Sequence, residues 1–173
     1  MKKTIFRIII IFVLGFLFHS VYEKFPNFIT SLFFPINESI FEHNKIIFLS
    51  YLILALIEIV FKKENKNILF ASVISCILCI LILNITFTPV YLYIMKTNDN
   101  MLITLSFYLL SIILSMITYN KILKKDYSKK LELIAILLYI ILFIILSYLT
   151  YNPLPYALFY DFNNNIYGIK KSS

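Results

Sequence analysis

Charged residues and glycine are scarce in this sequence of 173 residues. Only 14% of the residues are charged, whereas a soluble domain of average composition carries about 25%. Two glycines and five prolines are too few for a collagen-like or low-complexity chain. These shortages exclude an ordinary water-soluble surface, and the 61% of hydrophobic residues point to an integral membrane protein.

Apolar segments of the length needed to cross a bilayer recur along the chain. A span of about 30 Å of hydrocarbon takes about 20 helical residues. The candidate spans are residues 4–22, 46–61, 68–93, 101–120 and 131–151. We therefore predict an all-α, polytopic membrane helix bundle of about five helices within residues 1–151. Residues 24–45 are predicted to form a re-entrant or interfacial loop, and residues 152–173 a tail that folds back on the bundle.

The net charge of +7 is interpreted as a signal of membrane orientation. Lysines are concentrated in the loop 121–130, and Lys2, Lys3 and Arg7 lie at the start of the first apolar segment on the same predicted side. Cytoplasmic loops are rich in Lys and Arg, so we predict a multi-pass protein of the cell membrane with its N-terminus inside and its C-terminus outside. The lipid bilayer is then the expected partner, and no nucleic acid is needed to explain the basic residues.

Most polar residues inside the spans are predicted to pack helices together. The fourth span carries a stripe of hydroxyl residues at helical spacing, namely Thr104, Tyr108, Ser111, Ser115 and Thr118. Small polar side chains of this kind let helices approach closely and hydrogen-bond. Cys76 and Cys79 lie mid-span without a second ligand pair, so we interpret them as packing residues too. Glu58 is expected to pair with Lys62 or to reach the interface.

The polar residues with a potential for chemistry gather on the predicted outer side. His19 and Glu23 are one helical turn apart at the end of the first span. Asn37 is predicted to cap the second helix, which places Glu38 in its first turn. We predict that these residues build an outward-facing polar pocket. The predicted binding residues are His19, Tyr22, Glu23, Asn37, Glu38, Ser39, Glu42, His43, Lys45 and Asp161.

Two interpretations of this group stay open. In one, His19, His43, Glu38 and Glu42 are ligands of a divalent metal such as zinc, with Glu23 or Asp161 as a base. The protein would then be an outer-leaflet metal-assisted hydrolase or transferase. In the other, Glu42 pairs with Lys45 and the histidines bond to backbone or hydroxyl groups. The protein would then have a binding, transport-accessory or structural role, with a small molecule or a lipid as its ligand.

The outer motifs resemble those of an uncharacterised bacterial membrane family. That family, a domain of unknown function, carries the signature P-V-N-E-S-V-W-E-H-L-K. Here Ile36, Phe41 and Asn44 replace its valine, tryptophan and leucine. The matching residues are Pro35, Asn37, Glu38, Ser39, Glu42, His43 and Lys45, preceded by Gly15, His19, Tyr22 and Glu23. The resemblance covers about the first third of the chain and implies a small multi-span membrane protein without an assigned activity.

Overall fold

A computed structural model of the protein describes residues 2–61, 66–95 and 100–169. The long helices are α1 (Lys2–His19), α4 (Ile40–Phe61), α5 (Ile68–Val90), α6 (Met101–Ile122) and α7 (Lys129–Tyr151). Two short helices, α2 (Val21–Lys24) and α3 (Phe28–Phe33), lie between α1 and α4. A π-helical segment (Tyr91–Met95) extends α5. The tail contains a 3-10 turn (Ala157–Phe159) and an antiparallel hairpin of β1 (Tyr160–Asp161) and β2 (Ile166–Tyr167).

The structure confirms the predicted all-α membrane bundle. Five helices of the described residues are long and apolar enough to cross a membrane. Large apolar side chains on their outer faces, such as Val60 and Ile85, are exposed, which suits contact with lipid. The helices alternate in direction. One end of the bundle, here called the amino end, therefore holds Lys2, Phe61 and Ile122, and the other, the tail end, holds His19, Ile40 and the tail.

Helix α5 lies in the centre and packs against α4, α6 and α7, while α1 packs against α4 and α6. Small residues line its buried positions, including Ala71, Ser72, Cys76 and Cys79, all fully buried. Such residues let neighbouring helices approach closely. Both cysteines are unbridged, as expected for packing residues. The hydroxyl stripe of α6 also faces its neighbours, since Ser115 hydrogen-bonds to Tyr51 of α4.

Helix α4 begins at Ile40, before the predicted span at 46 and after the predicted cap at Asn37. Ser39 occupies the position before the helix, and its Oγ accepts a hydrogen bond from the Glu42 N–H at 3.4 Å. Asn37 instead supports the entry loop, because its Oδ1 accepts from the Ser39 N–H at 2.9 Å. Glu38 therefore precedes the helix rather than lying in its first turn, and it does not share a face with Glu42.

The tail lies across the tail end of the bundle. Phe159 stacks on Phe41 of α4 with ring centroids 4.4 Å apart. The Asn37 side-chain amide donates to the Gly168 carbonyl at 2.9 Å. Gly168 has φ +63, and a Cβ there would lie 3.1 Å from Pro153 Cγ and 3.2 Å from the Thr150 carbonyl oxygen, so glycine suits this position. These contacts bind the entry loop of α4 and the tail into one layer.

Candidate functional site

Three of the predicted ligands converge at the tail end: His19 at the end of α1, Glu38 in the entry loop and His43 in the first turn of α4. The two His Nε2 atoms are 3.1 Å apart. Glu38 Oε2 lies 3.5 Å from each of them. The side chains of His19, Glu38 and His43 are 46%, 42% and 24% exposed, so the group, here called the His–Glu cluster, is accessible.

These separations are close to those between the ligand atoms of a metal centre. In a tetrahedral zinc site with bonds of about 2.0–2.1 Å, two ligand atoms lie about 3.3–3.4 Å apart. The observed distances between the three atoms, 3.1, 3.5 and 3.5 Å, are close to this value. His19, His43 and Glu38 are therefore the residues that would hold such an ion. The distances between the two ring nitrogens and the carboxylate oxygen are therefore compatible with the zinc hypothesis.

His43 is oriented by the backbone of its own helix. Its Nδ1 lies 2.8 Å from the Ser39 carbonyl oxygen, which is an acceptor only, so Nδ1 carries the proton. In the neutral ring, Nε2 then presents a lone pair towards His19 and Glu38. Metal-binding histidines usually donate their second ring N–H to a carbonyl or carboxylate in this way.

Glu38 is positioned by the tail. Its backbone N–H donates to Asp161 Oδ2 at 3.1 Å. Asp161 is fully buried, and it also accepts bonds from the backbone N–H groups of Asn163 at 2.8 Å and Asn164 at 3.0 Å. The Asn164 side-chain amide donates to Asp161 Oδ2 at 2.8 Å. Asp161 therefore links the hairpin turn to the entry loop, and its carboxylate is occupied rather than available as a base.

The ion-paired environment changes the acidity of Glu38. A hydrogen bond from His19 is the largest effect that lowers the pKa of this carboxyl below its usual value. Partial burial opposes that shift, while the charges on His43 and His19 reinforce it. Glu38 is accordingly a carboxylate near neutral pH, the form that binds metal.

Glu42 and Lys45 lie apart from the His–Glu cluster. Lys45 Nζ donates to Glu42 Oε2 at 2.7 Å and to the Ser31 carbonyl at 2.8 Å. Glu42 also accepts from the Thr150 hydroxyl at 2.9 Å and from the Ile36 N–H at 3.1 Å. Their side chains are only 3% and 1% exposed, so neither can join the metal ligands or touch a ligand from outside. The predicted metal role of Glu42 is therefore replaced by the predicted pairing with Lys45.

The remaining predicted residues support or flank the His–Glu cluster. Asn37 and Ser39 are buried and hold the entry loop, as described above. Tyr22 is half-buried in α2, and Glu23 in the same short helix is exposed. Glu23 acts on His19 electrostatically. Neither supplies an atom to the group of potential metal ligands found among the described residues.

A cavity of about 470 Å³ opens beside the cluster. The sequence predicted an outward-facing polar pocket at this end, but not a pocket with apolar walls. Its walls come from α1, α4, α5 and α6 and are mainly apolar, with Leu83, Phe87 and Tyr91 among them. His19, Glu38 and His43 line one end. Gly15 forms part of the wall. Glycine suits this position because Tyr108 occupies the space that a side chain would need, and a Cβ there would be 2.7 Å from the Tyr108 hydroxyl oxygen. The volume is within the range of about 300–1,000 Å³ typical of small-molecule sites.

A second charged group occupies the amino end. Arg7 Nε pairs with Glu58 Oε1 at 2.9 Å, and the Tyr119 hydroxyl donates to Glu58 Oε2 at 2.7 Å. Arg7 Nη1 donates to Asn120 Oδ1 at 2.8 Å. This amino-end network joins α1, α4 and α6. The sequence placed Arg7 among the orientation charges and paired Glu58 with Lys62, which lies outside the described residues.

Comparison with known proteins identifies the family but not a function. The chain belongs to a family of unknown function (DUF6512), whose model matches residues 1–169. No curated protein and no solved structure matches the chain. The match confirms that the chain is a member of an uncharacterised family and extends from α1 to the end of the tail hairpin.

Proposed function

We propose that this member of DUF6512 is a divalent-metal-binding membrane protein whose centre is the His–Glu cluster. The observation that carries the proposal is the near-tetrahedral spacing of His19 Nε2, His43 Nε2 and Glu38 Oε2, at 3.1, 3.5 and 3.5 Å. The bond from His43 Nδ1 to the Ser39 carbonyl supports it, because it aims Nε2 at the other two atoms. Two imidazoles and one carboxylate form a ligand set that zinc uses, and that ferrous iron also uses in non-haem sites.

The cluster supplies three protein ligands, which is typical of catalytic rather than structural zinc sites. Structural sites are usually closed by four protein ligands, whereas catalytic sites keep a position for water or substrate. The exposed faces of His19 and Glu38 and the adjoining cavity leave room for such a position. This favours, as a second candidate function, a metal-assisted hydrolase or transferase in which a bound water is the nucleophile.

In that case, Glu23 is the better of the two predicted bases. Asp161 is saturated by bonds from the hairpin turn and from Glu38, whereas Glu23 is exposed next to the cluster. We further propose that the tail end faces the outside of the cell membrane, following the distribution of basic residues.

Metal analysis of the purified protein tests the proposal. After equilibration with zinc and desalting, wild-type protein in detergent should retain about one equivalent, as a single three-ligand site requires. His43→Ala and Glu38→Gln should each lose affinity by more than the roughly 10–100-fold that removing a second-shell partner costs. Glu23→Gln is the matched control and should retain the metal, because this acid lies outside the three-ligand group.

Negligible zinc, manganese, iron and cobalt in the wild type after such equilibration would overturn the proposal. Equal retention by the wild type and by Glu38→Gln would overturn the assignment of the ligands. Size-exclusion elution and helical circular dichroism of each variant should match the wild type, which separates metal loss from unfolding.

A further inference from the structure

The cavity beside the His–Glu cluster is apolar in its depth and polar at one end. Leu83 and Phe87 of α5, Ile47 of α4 and Leu105 of α6 line the apolar part. His19, Glu38 and His43 form the polar part at the tail end. This division matches the shape of an amphipathic molecule that stands along the membrane normal, with its polar group at the interface.

The cavity also faces the space between α1 and α6. These two helices contact each other at Tyr108, whose hydroxyl donates to the Ile11 carbonyl at 3.2 Å and whose ring stacks on Phe12 at 5.8 Å. The Arg7 to Asn120 bond joins them nearer the amino end. Phe16 and Met101 line the cavity on the tail side of Tyr108, yet they are 45% and 64% exposed.

Residues that both line a cavity and face outward mark its opening. Because both helices are long and apolar enough to cross the bilayer, an opening on this face meets lipid. Water-soluble molecules would have to cross the polar end past His19 and Glu38, while a lipid chain can enter sideways. The apolar depth of the cavity therefore suits a hydrocarbon chain drawn from the membrane.

We propose that the cavity holds the hydrocarbon chain of a membrane lipid, whose polar headgroup lies at the His–Glu cluster. The chain is recognised by Leu83, Phe87 and Leu105, and the headgroup by His19, Glu38 and His43. The headgroup would bind the cluster through a metal–oxygen bond, and this part of the inference rests on the proposed function. The binding of the chain in the cavity does not depend on it.

Photolabelling in proteoliposomes tests this inference. The probe is a phospholipid with a diazirine near the end of one acyl chain, mixed into phosphatidylethanolamine–phosphatidylglycerol vesicles. Labelled sites are mapped by peptide mass spectrometry. In the wild type, the buried wall residues Leu83 and Phe87 should be labelled, as well as the lipid-facing Leu81, which is 50% exposed. A second probe with the diazirine in the headgroup should label the entry loop near Glu38.

Matched tryptophan variants on α6 provide the control. Thr104 lines the cavity, whereas Ser106, two residues along, is exposed. Both hydroxyls bond to a carbonyl four residues earlier. Thr104→Trp should lower labelling of Leu83 and Phe87 roughly tenfold or more, because the indole and an acyl chain would compete for the same part of the cavity and overpacking is strongly unfavourable. Ser106→Trp should leave it unchanged, and Leu81 should be labelled in both. Leu105→Trp replaces Thr104→Trp should the latter fail to fold.

The possible outcomes separate this inference from the metal proposal. Wild-type protein that binds zinc but shows no label at Leu83 or Phe87 would overturn the lipid site and leave the metal centre standing. Wild-type protein that is labelled there but binds no metal would support the lipid site while overturning the proposed function. Equal labelling of Leu83 in the two α6 tryptophan variants would also overturn the lipid site.

Discussion

The two ends of the bundle handle charge in opposite ways. At the amino end, Arg7 and Glu58 are 5% and 12% exposed and bond to each other and to the side chains of Asn120 and Tyr119. At the tail end, His19 and Glu38 are 46% and 42% exposed. Their potential ligand atoms, together with that of His43, point to one spot beside a cavity. The first arrangement is closed, and the second is open to a further atom.

This difference indicates which cluster stabilises the protein and which can act on a ligand. A buried ion pair whose polar atoms bond to one another has little to offer a third molecule, and its disruption leaves an unpaired charge in a medium that cannot solvate it. The side chains of the His–Glu cluster are partly exposed to solvent, so replacing one of them should change the free energy of unfolding only slightly. The structure therefore separates a stability site from a candidate functional site.

The largest effect is expected at the amino end. Glu58→Ala leaves Arg7 buried without the carboxylate that pairs with it, so we expect a loss of about 3–5 kcal/mol in the free energy of unfolding. Glu38→Ala, at the open end, should cost less than about 1 kcal/mol. Denaturant or thermal unfolding in detergent measures both variants. Similar losses for the two would break the distinction between a closed and an open end.

An intermediate effect is expected from the residue that links the tail to the site. Asp161→Ala removes the acceptor of the Glu38 N–H, and the zinc affinity should fall about 10–100-fold, as for other second-shell changes. Asn164→Ala is the control, because it removes another bond to Asp161 and leaves the Glu38 contact in place. Isothermal titration with zinc distinguishes them. Unchanged affinity in Asp161→Ala would mean that the tail does not position the cluster.

The smallest effect concerns pH. The folded-state pKa of Glu38 is depressed, mainly by the His19 hydrogen bond. The stabilisation is therefore present above the unfolded value, near 4.5, and is lost as the pH falls through the folded-state pKa. Because Glu38 is well exposed, the effect should stay below about 1 kcal/mol. Metal-free wild type should lose slightly more stability than Glu38→Gln on acidification below about pH 4.5. Parallel pH profiles of the two proteins would contradict this.

The spans and several site residues could be predicted from the sequence because their causes are local. Twenty apolar residues in a row bury themselves in lipid whatever their neighbours are, so α5, α6 and α7 lie close to their predicted bounds. The positions of His19, Glu38 and His43 beside the predicted spans likewise indicated that they gather at one end of the bundle, although helical spacing predicted Glu38 and His43 on different faces. The start of α4 was placed too early at Asn37, because Ser39 as well as Asn37 can cap a helix and only the folded loop decides between them.

The partners of the charged residues depended on distant parts of the chain. Glu42 was a plausible metal ligand by composition, but its partners Lys45, Thr150 and the Ile36 N–H come from three separate segments. Asp161 was predicted to approach the cluster. Its carboxylate does so by accepting a hydrogen bond from the backbone N–H of Glu38. Sequence spacing cannot state which of two carboxylates will be buried when both face the same end of a bundle.

The membrane class, the approximate spans and the end of the bundle at which the histidines and acids gather could therefore be predicted from the sequence alone. These follow from hydropathy and from chain direction, which are properties of single segments. The choice between the open interpretations depended on the packed structure, in which His19, Glu38 and His43 share one spot, Glu42 pairs with Lys45, and a mainly apolar cavity opens beside the first three. Those outcomes depend on the way in which α1, α4, α5, α6 and the tail pack, and on which polar atoms that packing removes from solvent.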